Sequence, residues 1–301
     1  MTMIDRRDFL KLAGLGGVTF VTGVGCSATT LGASAVSSAD EFHFVQLSDT
    51  HWGFTGDAAN PDAAGTLPKA VAAVNSLAQQ PDFVVFTGDL THNSDDAKER
   101  RRRLAQFKDI VSQLKVKDVR FMPGEHDGSL DKSEAYQEMF GPTHYTFEHK
   151  GVHFIVLDNV SDPKGRLGDS QVQWLEADIE KQNINTQVIV LTHRPLFELY
   201  PQWDWWTGDG MQAVSILLRH PKVSVFYGHI HQEHHFKTGH IDHHASRSLI
   251  FPLPAPGSQP KRAAINWNPA MPYDGLGFRA VEVNQRHENR DIKEYPVKRG
   301  A

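Results

Sequence analysis

The sequence predicts an α/β domain, because short apolar runs alternate along the chain with stretches of helical periodicity. The runs are too short for amphipathic helices, and they are rich in β-branched and aromatic residues, as buried strands are. They cover residues 42–47, 83–86, 119–122, 152–157, 188–191 and 223–227. Each run is therefore predicted to be a strand buried on both faces.

Apolar residues at helical spacing lie between several of these runs, which predicts helices that pack on a sheet. They are Leu67, Ala70, Val71, Val74 and Leu77; Leu104, Phe107, Val111 and Leu114; and Val172, Leu175 and Ile179. Residues 278–283 alternate and predict a last strand, and the polar tail from Asn284 is expected at the surface. The sequence contains no internal repeat and no sign of a second domain.

The first 39 residues have the order of a signal peptide. Arg6 and Arg7 precede an apolar pair, residues 12–24 carry no charge, and small residues follow up to Ala39. The uncharged stretch is too short and too rich in glycine for a stable membrane span. We therefore expect a twin-arginine signal peptide over 1–39 and a catalytic domain over 40–301.

A twin-arginine signal predicts export by the twin-arginine machinery and a periplasmic or other extracytoplasmic location. Two processing outcomes are open. Cleavage near Ala35 or Ala39 would release the domain, whereas lipid attachment at Cys26 would anchor it.

The composition points to metal chemistry with nitrogen and oxygen ligands. The 301 residues include 17 histidines and one cysteine, so disulfides and thiolate metal sites are excluded. Imidazole and carboxylate ligands suit zinc, manganese and iron. The formal net charge of -5 gives no basic surface, which disfavours electrostatic nucleic-acid binding.

Five of the predicted strands are followed by a cluster of ionisable residues. Because ligands bind outside the carboxyl ends of strands in open α/β sheets, these clusters are expected along one sheet edge. They supply eight candidate metal ligands or proton-transfer groups: Asp49, His51, Asp89, Glu125, His126, His193, His229 and His231.

In this order the clusters resemble the motifs of the calcineurin-like metallophosphoesterases, from about Phe42 to His231. That family has Asp-x-His, Gly-Asp, Gly-Asn-His-Asp, a single His and Gly-His-x-His. The corresponding residues here are Asp49-Thr50-His51, Gly88-Asp89, Gly124-Glu125-His126-Asp127, His193 and Gly228-His229-Ile230-His231. The resemblance implies a four-layer α/β/β/α sandwich, in which two mixed sheets pack face to face between helices.

The resemblance also implies a two-metal centre that acts on a phosphate-ester substrate, as a phosphodiesterase or phosphatase. One metal would be held by Asp49, His51, Asp89 and His231, and the other by Asp89, Glu125, His193 and His229. Two such cations clamp a phosphoryl group and lower the pKa of a bridging water until it attacks as hydroxide. His126 would protonate the leaving-group oxygen, steadied by Asp127.

Glu125 departs from the family pattern, which has Asn at this position. Its charge gives the ligand set three carboxylates against the four positive charges of two divalent ions. One hypothesis is an Fe(III) ion paired with manganese or zinc, and another is a preference for singly charged diesters over monoesters. A third is that the chain is a non-catalytic exported metal-binding protein on the same fold. The natural substrate and the oligomeric state are not predicted.

Four further features leave alternatives open. The histidines of the 234–244 tract are either solvated loop or β-ribbon residues, or an auxiliary metal site. The tryptophans at 203, 205 and 206 either stack on substrate or anchor a long loop. His92 and Asn93 either orient ligands or form a plain turn, and Arg194 is a candidate phosphate contact.

Overall fold

The protein is described by a computed structural model, which covers residues 41–284 and 290–299. The predicted signal peptide over 1–39, including Cys26, lies outside the described residues. In the part of the chain that is described, no helix has both the length and the apolar character that a membrane crossing needs.

Five strands form the first sheet, in the order β11-β10-β1-β2-β3. They are β1 (Glu41–Leu47), β2 (Phe83–Thr87), β3 (Val119–Met122), β10 (Gly277–Asn284) and β11 (Asp291–Pro296). Strands β1, β2 and β3 run parallel, whereas β10 is antiparallel to both of its neighbours. The tail expected at the surface after Asn284 therefore contains a strand, because β11 pairs with β10 along its whole length.

Six strands form the second sheet, in the order β4-β5-β6-β7-β9-β8. They are β4 (Tyr145–His149), β5 (Val152–Val156), β6 (Gln187–Leu191), β7 (Val223–Tyr227), β8 (His234–Thr238) and β9 (Ile241–Ala245). Strands β5, β6, β7 and β9 are parallel, and the edge strands β4 and β8 are antiparallel to their neighbours. The histidine tract thus forms a β-ribbon at one edge.

Six α-helices complete the described fold. They are α1 (Ala63–Asn75), α2 (Ala97–Val111), α3 (Glu125–Gly128), α4 (Glu134–Phe140), α5 (Asp169–Ile179) and α6 (Gly210–Leu217). The periodic apolar residues of α1 and α2 pack on the first sheet, and those of α5 and α6 pack on the second. The three predicted helices and the seven predicted strands are confirmed, residues 278–283 lying in β10. Strand β3 differs from the prediction of full burial, because Val119, Arg120 and Phe121 are only partly buried at the edge of the sheet.

A third apolar cluster lies between the two sheets and contains many phenylalanines. Phe44 of β1 stacks on Phe83 at 5.2 Å and meets Phe226 of β7 edge-on at 5.7 Å between ring centroids. Such offset and edge-to-face pairs add to the stabilisation from burial. With helices outside each sheet, the predicted four-layer α/β/β/α sandwich of two mixed sheets is confirmed. Burial along their whole length explains why the central strands β2, β5, β6 and β7 are mostly apolar.

His243 of β9 makes the stability of the fold depend on pH. Its side chain is fully buried, bonded to Thr238 Oγ1 at 2.7 Å and packed against the ring of Phe197. Burial lowers its pKa from 6.5 to about 4, because the interior disfavours the charged imidazolium. Between these two values the unfolded chain binds the proton and the folded protein does not, so stability falls as the pH falls.

We predict that His243→Gln reduces this pH dependence. At pH 5 the wild type should lose about 2 kcal/mol of unfolding free energy through His243, relative to pH 8. Urea denaturation at both pH values measures the loss, which should be smaller by about that amount in His243→Gln. His240→Gln, an exposed histidine of the same hairpin, is the control. Equal pH dependence in wild type and His243→Gln would contradict the prediction.

Candidate metal centre

All the predicted ligands lie at the carboxyl ends of strands, along one edge of the sandwich. Both sheets contribute to this edge. Asp49 and His51 follow β1, Asp89 follows β2 and Glu125 follows β3, whereas His193 follows β6 and the pair His229 and His231 follows β7. The parallel strands of two packed sheets therefore deliver ligands from five separate segments to one place.

The backbone at these strand ends is left-handed at an unusual number of positions. Among the described residues, nine that are not glycine have positive φ, and five of them are predicted ligands: Asp49, His51, Asp89, His229 and His231. Each such conformation costs on the order of 1 kcal/mol and persists only where the surroundings enforce it. Hydrogen bonds between the segments do so: Asp49 N donates to Gly88 O, and His51 N donates to Asp89 O.

Two glycines of the motifs allow the segments to approach closely. Gly88 has φ +93°, and a Cβ there would lie 2.3 Å from Nδ1 of His193. A Cβ on Gly228 would lie 2.0 Å from Ser48 Oγ and 2.7 Å from Asp49 Oδ2. Any side chain at either position would therefore push ligand-bearing segments apart.

The first group of ligands is Asp49, His51, Asp89 and His231, all of them buried. One ligand atom from each lies within 4.8 Å of the others. Nε2 of His51 is 3.3 Å from Asp89 Oδ2, and Nε2 of His231 is 3.3 Å from Asp49 Oδ1. Four donors around one point match the set that the resemblance implies for one cation.

The second group joins Glu125 to His193 and His229. Glu125 Oε2 lies 2.7 Å from His193 Nε2 and 2.9 Å from His229 Nδ1. Asp89 lies between the two groups, because its Oδ2 is also 3.5 Å from His193 Nε2. Asp89 therefore contacts a histidine of each group, His51 in the first and His193 in the second.

Backbone carbonyls fix the orientation of three imidazoles. Nδ1 of His193 lies 2.7 Å from Thr87 O, Nε2 of His229 lies 2.9 Å from Asp204 O, and Nδ1 of His231 lies 2.7 Å from Phe251 O. A carbonyl only accepts, so each of these nitrogens must carry the proton. In a neutral ring the other nitrogen presents a lone pair to the carboxylates, an arrangement that a cation between them stabilises.

The electrostatics of His193 indicate the same need for positive charge. Burial opposes its protonation, but the carboxylates of Asp89 and Glu125 outweigh burial and raise the pKa of His193 well above its ordinary value. Its Nε2 is buried without a regular hydrogen bond. The residues therefore fit a pair of metal ions, with imidazole and carboxylate donors that suit zinc, manganese and iron.

His126 lies beside the first group without joining it. Its backbone N–H donates to Asp89 Oδ1 at 2.8 Å, and its ring stacks on His92 at 4.8 Å between centroids. The partner of its Nδ1 is Asn93, whose Oδ1 is 3.2 Å away. His92 and Asn93 therefore contact and orient the site histidines rather than forming a plain turn.

The side chain of Asp127 was expected to support the ring of His126, but it has other partners. Its carboxylate accepts from the N–H groups of Leu90, Thr91 and Gly124 at 2.8–3.0 Å, instead of supporting the ring of His126. Burial, followed by the charge of Asp89, raises the pKa of Asp127 to about 7. Asp127 ties the segment after β2 to the segment after β3, and in this way it positions Asp89 and Glu125.

Arg194 compensates the charge of Glu125. The guanidinium is nearly buried and contacts Oδ2 of Asp204 at 2.6 Å. Burial opposes its charge, but Glu125 and then Asp204 outweigh burial and raise the pKa of Arg194. Burial likewise opposes ionisation of Glu125, yet His229, His193 and Arg194 lower its pKa well below the usual range. The predicted phosphate contact of Arg194 remains a hypothesis beside this role.

The tryptophan-rich segment anchors a loop that reaches the centre. Trp203 and Trp205 are buried against each other and pack with Phe197, Tyr227 and other apolar residues. Between them, Asp204 offers its carbonyl to His229 and its carboxylate to Arg194. Of the two open alternatives for Trp203 and Trp205, the structure supports loop anchoring.

The sequence did not identify two loop residues of the centre, Asp204 and Phe251, and it gave a third residue, Arg194, a different role. Asp204 and Phe251 act through backbone carbonyls, which any residue type supplies, so no sequence signal marks them. Arg194 was noted, but its proximity to Glu125 depends on a contact between the two sheets that local patterns do not encode.

Comparison with known proteins agrees with this geometry. A family model described as calcineurin-like phosphoesterase matches residues 42–233, more than half of the chain. A probable glycerophosphodiester phosphodiesterase of Arcobacter nitrofigilis is 30% identical over 162 residues, covering 50% of this chain and 56% of that protein. A serine/threonine-protein phosphatase of Mus musculus is 30% identical over 180 residues, covering 52% of this chain and 57% of that protein. The chain thus spans little more than half the length of these two relatives.

Another relative matches a longer part of the chain. A 3',5'-cyclic adenosine monophosphate phosphodiesterase of Vibrio vulnificus is 27% identical over 209 residues, covering 67% of this chain and 74% of that protein.

Solved structures show the same fold. A purple acid phosphatase from yellow lupin superposes with a TM-score of 0.60 at 13% identity, over 84% of this chain and 51% of that one. A dimetal phosphatase from Danio rerio superposes with a TM-score of 0.57 at 16% identity, over 85% and 96%. At such low identity the likeness concerns the fold alone.

Proposed function

The chain belongs to the calcineurin-like phosphoesterase family, and we propose that it hydrolyses phosphate diesters in preference to monoesters at the described centre. The observation that carries the proposal is the position of Asp89 between two ligand groups, in which backbone carbonyls orient three of the four histidines. Two bound cations would supply Lewis-acid stabilisation of the phosphoryl oxygens and activation of the attacking water. Asp49, His51, Asp89 and His231 would hold one cation, and Asp89, Glu125, His193 and His229 the other.

The proposed metals are iron together with manganese or zinc, which the imidazole and carboxylate donors suit. A trivalent ion is less necessary for charge balance than the sequence suggests, because the nearly buried guanidinium of Arg194 helps to lower the pKa of Glu125. Arg194 is also paired with Asp204 at 2.6 Å, but the side chain of Asp204 is 51% exposed, so the guanidinium still offsets part of the extra charge of Glu125. The preference for diesters is supported by the names of two relatives, a glycerophosphodiester and a cyclic nucleotide phosphodiesterase.

His126 is the proposed general acid. Its Nδ1 faces Asn93, so Nε2 is the nitrogen left to donate a proton to the leaving-group oxygen. Asn93 holds the ring in this orientation, because its backbone N–H donates to Nδ1 of His126 at 3.4 Å and its Oδ1 lies 3.2 Å from the same nitrogen. Asp127 contributes by holding the loops of Asp89 and Glu125 in place, not by contacting the ring of His126.

We also propose that residues 1–39 direct export through the twin-arginine machinery to the periplasm or another extracytoplasmic compartment. Arg6 and Arg7 followed by an uncharged stretch support this.

Replacing both arginines with lysine should leave the protein in the cytoplasm, which cell fractionation would detect. Unchanged export would refute the assignment. Palmitate labelling of wild type and Cys26→Ser separates lipid attachment from plain cleavage.

Because Glu125 and Arg194 carry opposite charges, replacing each one with a neutral residue should shift the ester preference in opposite directions. A doubly charged monoester feels a change in site charge twice as strongly as a singly charged diester. Glu125→Asn should therefore move the ratio of kcat/KM for bis-p-nitrophenyl phosphate over p-nitrophenyl phosphate toward the monoester, by about three- to tenfold. Arg194→Met should move the ratio toward the diester, and the double variant should return near the wild-type ratio.

The control for that comparison is Arg219→Met, which removes an exposed arginine paired with Glu176. It should leave the ratio unchanged. Shifts of the same sign in Glu125→Asn and Arg194→Met would contradict the charge argument. An absence of turnover in wild type with two metals bound would instead favour the non-catalytic metal-binding alternative.

The role of His126 predicts a dependence on the leaving group. A general acid matters most where the leaving alkoxide is basic, so His126→Ala should lower kcat for glycerophosphoethanolamine by about a hundredfold or more. The loss for bis-p-nitrophenyl phosphate should be much smaller, since p-nitrophenolate leaves without a proton. Asp89→Asn, the control, should abolish both activities. Equal losses for both substrates in His126→Ala would exclude the acid role.

A further inference from the structure

Another cluster of potential metal ligands lies on the β8–β9 hairpin, outside the two-metal centre. Its members are His235 of β8 and Asp242 and His244 of β9, and one ligand atom from each lies within 4.8 Å of the others. His235 and His244 are directly opposite in the antiparallel register. Asp242 is two residues from His244, so its side chain projects from the same face of the ribbon. Nε2 of His235 lies 2.7 Å from Asp242 Oδ1.

The side chains of His235 and His244 differ in how firmly their surroundings hold them. The ring of His244 is stacked on Phe226 of the inter-sheet core, at 5.1 Å between centroids, and is thereby held in place. His235 stacks on His244 at 4.8 Å but has a side chain that is 55% exposed. One donor is therefore fixed by the core, whereas the other is accessible from solvent and can adjust to an incoming ion.

Two cationic side chains near this cluster, those of Arg279 and Lys237, are each paired with a carboxylate, and the partner of Lys237 belongs to the cluster itself. Arg279 forms an ion pair with Glu294 at 2.7 Å, which offsets part of its repulsion of an incoming ion. Lys237 faces Asp242 across the ribbon, and its Nζ lies 3.2 Å from Asp242 Oδ1. The side chain of Lys237 is 58% exposed, so it can move into solvent when another cation takes its place.

We propose that His235, Asp242 and His244 bind a divalent transition metal ion, with zinc as the representative ion. Two imidazoles and one carboxylate are donors that zinc, cobalt and copper accept, and further coordination positions are open to water from the exposed side. The ion joins the edge strand β8 to β9. Because β9 pairs with β7, whose end carries His229 and His231, the ion stabilises the ribbon beside the strand that supports the two-metal centre.

Metal stoichiometry tests the site independently of enzymatic activity. The full chain is dialysed to equilibrium against zinc at a series of low micromolar concentrations, and bound zinc is measured by plasma mass spectrometry. His235→Ala and Asp242→Asn should each bind about one zinc ion fewer per chain than wild type. His240→Ala, which removes an exposed histidine at the turn of the same hairpin, should bind as much zinc as wild type.

Equal zinc binding by wild type and His235→Ala overturns the proposal, and so does an equal loss in His240→Ala. Because His235 is exposed, its replacement leaves the core intact and the comparison valid.

Lys237→Gln supplies a second test, in which zinc binding should become tighter. Removal of the competing ammonium should tighten the binding of this zinc ion by about three- to tenfold. Unchanged or weaker binding in Lys237→Gln likewise overturns the proposal.

Discussion

Three carboxylates are concentrated at one edge of the sandwich, those of Asp49 and Asp89, which are buried, and that of Glu125, which is 13% exposed. Their mutual repulsion must be offset there. Charges removed from water are costly unless they are paired or bind metal ions. Four imidazoles and the guanidinium of Arg194 surround these carboxylates. The need to place positive charge among them accounts for the orientation of the histidines and for the raised pKa of His193.

The fold brings these ligands together by adopting unfavourable left-handed backbone conformations at the strand ends. Five ligand-bearing residues with positive φ together cost several kcal/mol, at on the order of 1 kcal/mol each. The surrounding structure enforces those conformations through backbone hydrogen bonds between segments, through Asp127 between the β2 and β3 loops, and through the phenylalanine core that aligns the two sheets. The strain is local, and the packing that sustains it extends through the whole sandwich.

Much of the fold and of the centre was predictable because the relevant signals are local. Buried strands are apolar along their whole length, and each is followed directly by its ligands, as at Asp89 after β2 and His193 after β6. Interactions between distant segments were not predictable. Asp127 follows His126 in sequence, yet its short side chain turns back to the N–H groups of Leu90 and Thr91. Strand β11 carries charged residues on an edge, so its composition resembles that of a surface tail.

The position of Arg194 shows how one such distant contact changes a chemical conclusion. Counted from the sequence, Glu125 leaves the ligand set with one negative charge more than the family pattern. In the folded protein, the nearly buried guanidinium of Arg194 offsets part of that excess, although it also pairs with the exposed carboxylate of Asp204. A trivalent metal is therefore less necessary for charge balance, whereas the assignment of two cations to the centre does not depend on this balance.

The two-metal assignment is tested most directly by a crystal structure of the protein grown with manganese, with anomalous diffraction used to locate the ions. We predict two peaks about 3.5–4 Å apart with Asp89 between them. One should be ligated by Asp49, His51 and His231, and the other by Glu125, His193 and His229. A single peak, or two peaks of which neither contacts Asp89, would contradict the two-metal assignment.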